Sequence, residues 1–211
     1  MRILGVDTSS RGGSVAVVDG KTVVGELSSD SAASFSRQLL GMIETLLARH
    51  GLSVKNLDAI AVAAGPGSFT GIRIGLATAG GISLATGVPV AGISSLEAVA
   101  SASRLRGRVA AALDAGGGNV YHALFDVGGD GVTRITPDTF SHRAAIAGET
   151  GPCAGDGWPD AAQLNNSVAA GAALRAGQML AAGASMETLR AAPNYVQQSA
   201  AEKNLNLLQE G

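Results

Sequence analysis

Two short segments carry residues whose types and spacing could do chemistry. Asp7-Thr8-Ser9-Ser10 closes an apolar run over residues 3–7. An Asp at the carboxyl end of a first strand, followed by hydroxyl residues in a turn, can hold a hydrated cation. The N–H groups of that turn can then face a phosphate. The same residues also suit an ordinary hairpin turn in which Asp and Ser cap their own backbone. The stronger signal is Gly65-Pro66-Gly67-Ser68-Phe69-Thr70-Gly71. It falls between an apolar strand and a helix, where backbone N–H groups and the helix dipole favour an anion. Asp7, Thr8, Ser9, Gly65, Gly67 and Ser68 are therefore the candidate phosphate or nucleotide contacts. The loop is not a Walker A sequence, since no Lys follows its last glycine. It misses G-x-G-x-x-G because Thr70 stands at the third Gly, and no acidic residue follows about 20 positions later. A turn that merely lets strand and helix pack closely explains the glycines equally well.

Other catalytic groups are scarce. His50, His122 and His142 are isolated, without metal-ligand spacing. Cys153 has no neighbouring His or basic residue to activate it. Asp114 could pair with Asp7 across a cleft, and Arg104, Arg106 and Arg108 form the one basic cluster, suited to a phosphate or to a solvated loop. With 15 basic and 17 acidic residues among 211, the net charge is −2, which speaks against a strongly electropositive nucleic-acid binder. A lone cysteine excludes an internal disulfide. The apolar run at the N-terminus is too short for a signal peptide, and residues 74–90 carry too much Gly, Thr and Ser for a membrane span. A cytoplasmic protein is expected, with no membrane partner.

The elements that must position these residues alternate strand and helix. Runs at 3–7, 14–18 and 22–27, with Asp19-Gly20 between the last two, predict a three-stranded antiparallel meander. Phe35, Leu39, Ile43 and Leu46, widened by Leu40 and Leu47, predict an amphipathic helix capped by Ser34 and stopped at Gly51. A buried strand at 57–64, a helix at 71–86, a strand at 88–93 and a helix capped by Ser95 complete a βββαβαβα order over residues 1–100. Strands at 109–114, 120–127 and 132–135 repeat the opening logic, which suggests duplication of a ribonuclease-H-like unit. Helix candidates follow near Ala144 and at 167–182, with a polar terminal helix or tail after Pro193. With 3% aromatic residues, Ala, Val, Leu and Ile must fill the core.

The helix at 71–86 places Gly71, Gly75 and Ala79 on one face, and Ala77, Gly81 and Ala85 on another. Interior glycine costs a helix about 0.5–1 kcal/mol relative to Ala, so the pattern predicts close approach by a second helix. With the helix beginning at Phe35, it looks like half of a bundle.

Ile3-Leu4-Gly5-Val6-Asp7-Thr8-Ser9, then Gly65 to Gly71 followed by Ile72-Arg73-Ile74-Gly75, then Ser94-Ser95-Leu96, resemble the TsaB (YeaZ) family. These are the dimerisation subunits of the bacterial tRNA threonylcarbamoyladenosine system. The resemblance is specific over residues 1–100, looser to 127 and again at Gly155-Asp156-Gly157. It implies an α/β fold of the actin/Hsp70-like (ASKHA) kind, with a lobe at 1–100 and a reduced second lobe at 101–211, whose end after 193 could pack back on the first. It further implies a non-catalytic subunit that pairs with itself when alone and otherwise supports the catalytic paralogue TsaD. The ATPase TsaE joins the complex, an adenine nucleotide is the one implied cofactor, and tRNA is contacted indirectly. The implied interface candidates are Leu39, Leu40, Ile43, Leu47, Gly71, Ile72, Gly75, Leu76 and Ala79. Three positions depart from the family pattern: Phe35 where a His is usual, Gly116 where an Arg follows Asp-Ala, and Gln197 in place of an Arg. A competing reading is an actin-like ATPase or phosphotransferase using Asp7 and the 65–71 loop. A Rossmann oxidoreductase is disfavoured by the opening meander, and a protease by the lack of a nucleophile–base pair.

Overall fold

The computed structural model describes residues 1–29, 32–103, 105–129, 131–146, 151–158, 160–162, 164 and 166–196, with backbone alone at 32–36. The opening meander is β1 (Arg2–Asp7), β2 (Gly13–Asp19) and β3 (Thr22–Ser29), paired antiparallel. After α1 (Ala32–Arg49), β4 (Ala59–Ala63) adds to β1 in parallel; after α2 (Phe69–Thr86), β5 (Val90–Ile93) adds to β4, also in parallel. The sheet order is β3-β2-β1-β4-β5. α3 (Ser95–Ala102) leads to a second sheet. It contains β6 (Gly107–Gly116), β7 (Asn119–Gly128), β8 (Gly131–Arg134), β9 (Thr139–His142) and β10 (Cys153–Ala154), in order β10-β6-β7-β8 with β9 also on β7. α4 (Val168–Ala181) then returns to the first sheet.

Strand pleat decides what each face of the first sheet meets. Leu4, Val6, Val15, Ile60 and Val62 point to one side, packing with Leu39, Ile43, Leu46 and Leu47 of α1 and Ala79 of α2. Ala59, Ala61 and Ala63 point to the other, toward α3 and α4. The small residues on that side have a steric cause. A Cβ on Gly5 would collide with the Ala169 carbonyl, and one on Gly171 with the Ala98 carbonyl. α4 therefore lies almost directly on β1 and α3, and the Ala- and Gly-rich composition is what permits it.

The predicted elements shift at their ends. α1 is under way at Ala32, ahead of the expected cap Ser34. α2 starts at Phe69 because Ser68 Oγ accepts the Gly71 N–H at 3.2 Å, and Ser94 rather than Ser95 caps α3. Near Ala144 there is a 3-10 turn, Arg143–Ile146, while Ser167 caps α4. β9 and β10 were not expected; four and two residues long, they are too short to show a period in sequence. Among the described residues no helix is long and apolar enough to cross a membrane.

Candidate functional site

The Asp7–Ser10 turn and the Gly65–Gly71 loop meet, and they meet by packing. Thr8 Oγ1 donates to the Gly71 carbonyl at 2.6 Å, and the Ser68 N–H donates to the Ser9 carbonyl at 2.8 Å. A Cβ on Gly67 would strike the Ser9 backbone, one on Gly71 the Thr8 carbonyl, and one on Gly75 the Thr8 hydroxyl. Gly65 and Gly67 also have φ of 107° and 151°, a region that favours glycine. The glycines thus seat the β1 turn against the start of α2.

Several N–H groups of this turn and loop have partners inside the chain. Ser9 N–H donates to Asp7 Oδ1 at 2.8 Å, Gly65 N–H to Ser95 Oγ at 3.1 Å, and Gly71 N–H to Ser68 Oγ. Asp7 is 0% exposed, and its carboxylate also accepts from the Ser9 and Ser10 hydroxyls. Burial pushes its carboxyl above the usual value, with those hydrogen bonds opposing. The six candidate contacts come together as a structural joint, which leaves the ATPase reading without a free carboxylate at this position.

Over that joint lies the segment at 189–195. Gly92 N–H donates to the Leu189 carbonyl at 2.8 Å and Asn194 N–H to the Ala64 carbonyl at 2.7 Å. Tyr195 stacks on Phe69 with ring centroids 4.6 Å apart; Arg73 lies 3.9 Å over the Phe69 ring and donates from Nε to Tyr195 Oη at 3.1 Å. Asn194 Nδ2 reaches Asp138 Oδ2 at 2.6 Å, and Asp138 in turn accepts from Ser94 Oγ and Arg134. The sequence reading missed Asn194, Tyr195 and Asp138. The scarcity of aromatic residues was the available signal, because few partners exist for Phe69.

The cleft between the two sheets is lined by Ser10, Arg11, Gly12, Leu113, Gly155 and Asp156 and encloses about 320 Å³. Asp114 does not pair with Asp7: its carboxylate takes Arg11 Nη2 at 3.1 Å and Arg143 Nη2 at 3.5 Å. Its N–H donates to Asp156 Oδ1 at 3.0 Å. The position of the family arginine is Gly116, at φ 77° in the β6–β7 turn. The volume is at the bottom of the small-ligand range, and the lining cation Arg11 already faces a carboxylate.

The helix residues expected at a partner interface divide in two. Leu39, Ile43, Leu47, Ile72, Gly75 and Ala79 are buried in this chain's own core and have no surface to offer a partner. The hydrophobic period that flagged them marks the side facing the sheet. Gly71 and Leu76 are half-buried, and Leu40 is 56% exposed. The outward side of α2 carries Arg73, Ala77, Gly80, Gly81 and Leu84 instead, with Leu84 91% exposed. A Cβ on Gly80 or Gly81 would meet nothing within 4 Å, and the same holds for Gly41 on α1. Phe35 and Gln197 lie outside the described side chains.

The remaining chemistry-bearing residues have structural surroundings. His122 Nε2 is 3.1 Å from Ser141 Oγ, and His142 Nδ1 accepts the Ala144 N–H at 3.3 Å. Burial pushes the Cys153 thiol up, away from thiolate character. Among the described residues no three His, Cys, Asp or Glu gather as a metal site.

Two sheets that each open with an antiparallel meander, the first ordered β3-β2-β1-β4-β5, define an α/β protein of the actin/Hsp70-like class with a reduced second lobe. The family model "TsaD: tRNA N6-adenosine threonylcarbamoyltransferase" matches residues 26–167. The chain is 36% identical over 135 residues to tRNA threonylcarbamoyladenosine biosynthesis protein TsaB of Escherichia coli (strain K12), covering 63% of this chain and 58% of that protein. To the TsaB of Bacillus subtilis (strain 168) it is 31% identical over 139 residues, covering 65% and 61%. It thus spans about three fifths of the length of these curated relatives. The solved structure of YeaZ from Pseudomonas aeruginosa matches with a TM-score of 0.77 at 28% identity, over 92% of this chain and 99% of that one. The chain belongs to the TsaD family, on its TsaB/YeaZ branch.

Proposed function

We propose that this chain is a non-catalytic subunit in tRNA threonylcarbamoyladenosine formation. It binds a TsaD-like catalytic paralogue through the outward faces of α1 and α2 on the lobe at residues 1–100, and supports transfer of the threonylcarbamoyl group to N6 of adenosine 37. The names of its relatives support the pathway. One observation carries the interface: α2 presents Ala77, Gly80, Gly81 and Leu84 outward with none of the described residues against the two glycines. Glycine inside a helix is unfavourable by about 0.5–1 kcal/mol relative to Ala, and no contact among the described residues requires it here. A second helix approaching closely does. Alone, the chain pairs with itself through the same surface, and a TsaE-like ATPase joins the assembled pair.

Light scattering on a sizing column tests this reading. The chain alone should elute as a self-pair and, mixed with the TsaD-like paralogue of its own organism, as a one-to-one complex. Absence of any complex, with nucleotide and the ATPase also present, contradicts it.

A further inference from the structure

The outward face of α2 does not end with the helix. Arg73, Ala77, Gly80, Gly81 and Leu84 recur at the spacing of one helix face and are all exposed. At the Arg73 end a distant part of the chain joins that face. Tyr195, 39% exposed, stacks on the half-buried Phe69 and accepts from Arg73 Nε at 3.1 Å. Its ring therefore extends the face of α2 across the first turn of the helix.

The place of Tyr195 is set from the interior and from the second sheet. Leu189 is buried in the core, and the Gly92 N–H donates to its carbonyl. Arg190 bridges Ala91 of β5 antiparallel, and a Cβ on Gly92 would stand 2.8 Å from the Arg190 carbonyl. The segment is tied down again at Asn194, whose N–H donates to the Ala64 carbonyl and whose Nδ2 donates to Asp138 Oδ2. Asp138 is only 8% exposed, and it also accepts from Ser94 Oγ and Arg134 Nη1. Arg134 in turn shares Glu97 with Arg175 of α4. So enclosed a carboxylate offers a partner almost nothing directly, yet it fixes Asn194 and with it the next residue.

We propose that residues 189–195 belong to the surface that binds the TsaD-like paralogue, with Tyr195 a contact residue and Asp138 a positioning residue acting through Asn194. The inference rests on the reading that the outward face of α2 meets that paralogue, and it lengthens that face. A Tyr held against an Arg at the edge of a helix face has the composition of an interface hot spot. Its ring brings a large contact area with two torsions to fix, and here the stack on Phe69 fixes them beforehand. Affinity for the paralogue thus depends on an ion network that the paralogue does not touch.

Titration calorimetry of the full chain with the paralogue of its own organism tests this, at a dilution where the chain is monomeric. Tyr195→Ala should weaken binding about tenfold or more, as loss of a hot-spot side chain does. Asn194→Ala leaves Asp138 with Ser94 and Arg134, and should weaken binding about threefold or more, the scale of one hydrogen bond. The double variant should bind no more weakly than Tyr195→Ala alone, because Asn194 acts by placing the ring. Tyr195→Phe keeps the stack and should retain most of the affinity. Hydrogen exchange of Asn194→Ala should quicken at residues 191–195 and match the parent elsewhere, which separates a displaced segment from a misfolded chain. Parental affinity of Tyr195→Ala, or additive losses in the double variant, overturns the proposal. Leu84→Glu with Gly81→Arg serves as the control for the underlying reading. If that variant binds as the parent does, α2 is not the partner face and the proposal falls with it. If it loses binding while Tyr195→Ala keeps it, the α2 face stands and its extension to Tyr195 is overturned.

Discussion

The Thr8 hydroxyl donates to the Gly71 carbonyl at 2.6 Å and lies where a Cβ on Gly75 would have to stand. Strand β1 and helix α2 are held together through this contact, which gives the glycines at 71 and 75 a cause inside the chain. Among the described residues those at 80 and 81 have none. One helix therefore carries two kinds of glycine, and substitution should separate them.

Gly75→Leu should destabilise the folded chain, with overpacking costing about 1–3 kcal/mol or more. Gly81→Ala should stabilise the unpaired chain by about 0.5–1 kcal/mol, since its methyl meets none of the described residues, when unfolding is followed at a dilution where the chain is monomeric. Urea unfolding of the two variants measures both. Equal effects of the same sign would show that the two positions are not distinct.

Asp7 gives a pH signature. Burial raises its folded carboxyl above the ordinary 3.8, so in the interval above 3.8 the folded chain keeps a proton that the unfolded chain has lost. The stability this group contributes is full below pH 3.8 and falls as pH climbs through the raised folded value. Asp7→Asn lacks that slope, so unfolding measured at a series of pH values should show the variant gaining on the parent across that window. Asp7→Ala leaves the buried Ser9 N–H without its acceptor and should lose about 1–3 kcal/mol at every pH.

Tyr195 joins the segment at 189–195 to α2 through Phe69 and Arg73. Tyr195→Ala should cost about 0.5–1.5 kcal/mol beyond the lost area, the usual worth of an aromatic pair. Proteolysis should then cut near residue 195 sooner than in the parent, with the rest of the chain protected. Tyr195→Phe keeps the stack, loses only the Arg73 hydrogen bond, and should fall between the two.

Much of the fold was legible because strand and helix periods report burial. Leu4 and Val6 against Ile3, and Leu39 and Ile43 against Leu40, alternate in sequence as they do around the core. The same signal misled at the interface. A hydrophobic stripe records contact and does not say whether sheet or partner makes it, so Leu39, Ile43, Leu47 and Ile72 were expected at a surface they never reach. The exposed stripe was partly visible in Ala77, Gly81 and Ala85, though glycine cannot announce that it faces empty space. Asn194, Tyr195 and Asp138 were illegible for another reason. The contacts that join them to the rest of the fold span 56 residues from Asn194 to Asp138 and 122 from Tyr195 to Arg73, and no local period encodes that.

The outward face of α2 is the centre of the account, and charge placed there tests it most directly. Leu84→Glu combined with Gly81→Arg adds bulk where Leu84 is 91% exposed and none of the described residues lies against Gly81, so at a dilution where both are monomeric the variant should melt within a few degrees of the parent. Its affinity for the TsaD-like paralogue, read by titration calorimetry, should fall at least a hundredfold, about 2.7 kcal/mol, beyond detection for a moderate complex. Parental affinity in a folded variant would contradict the account and move the partner surface elsewhere on the molecule.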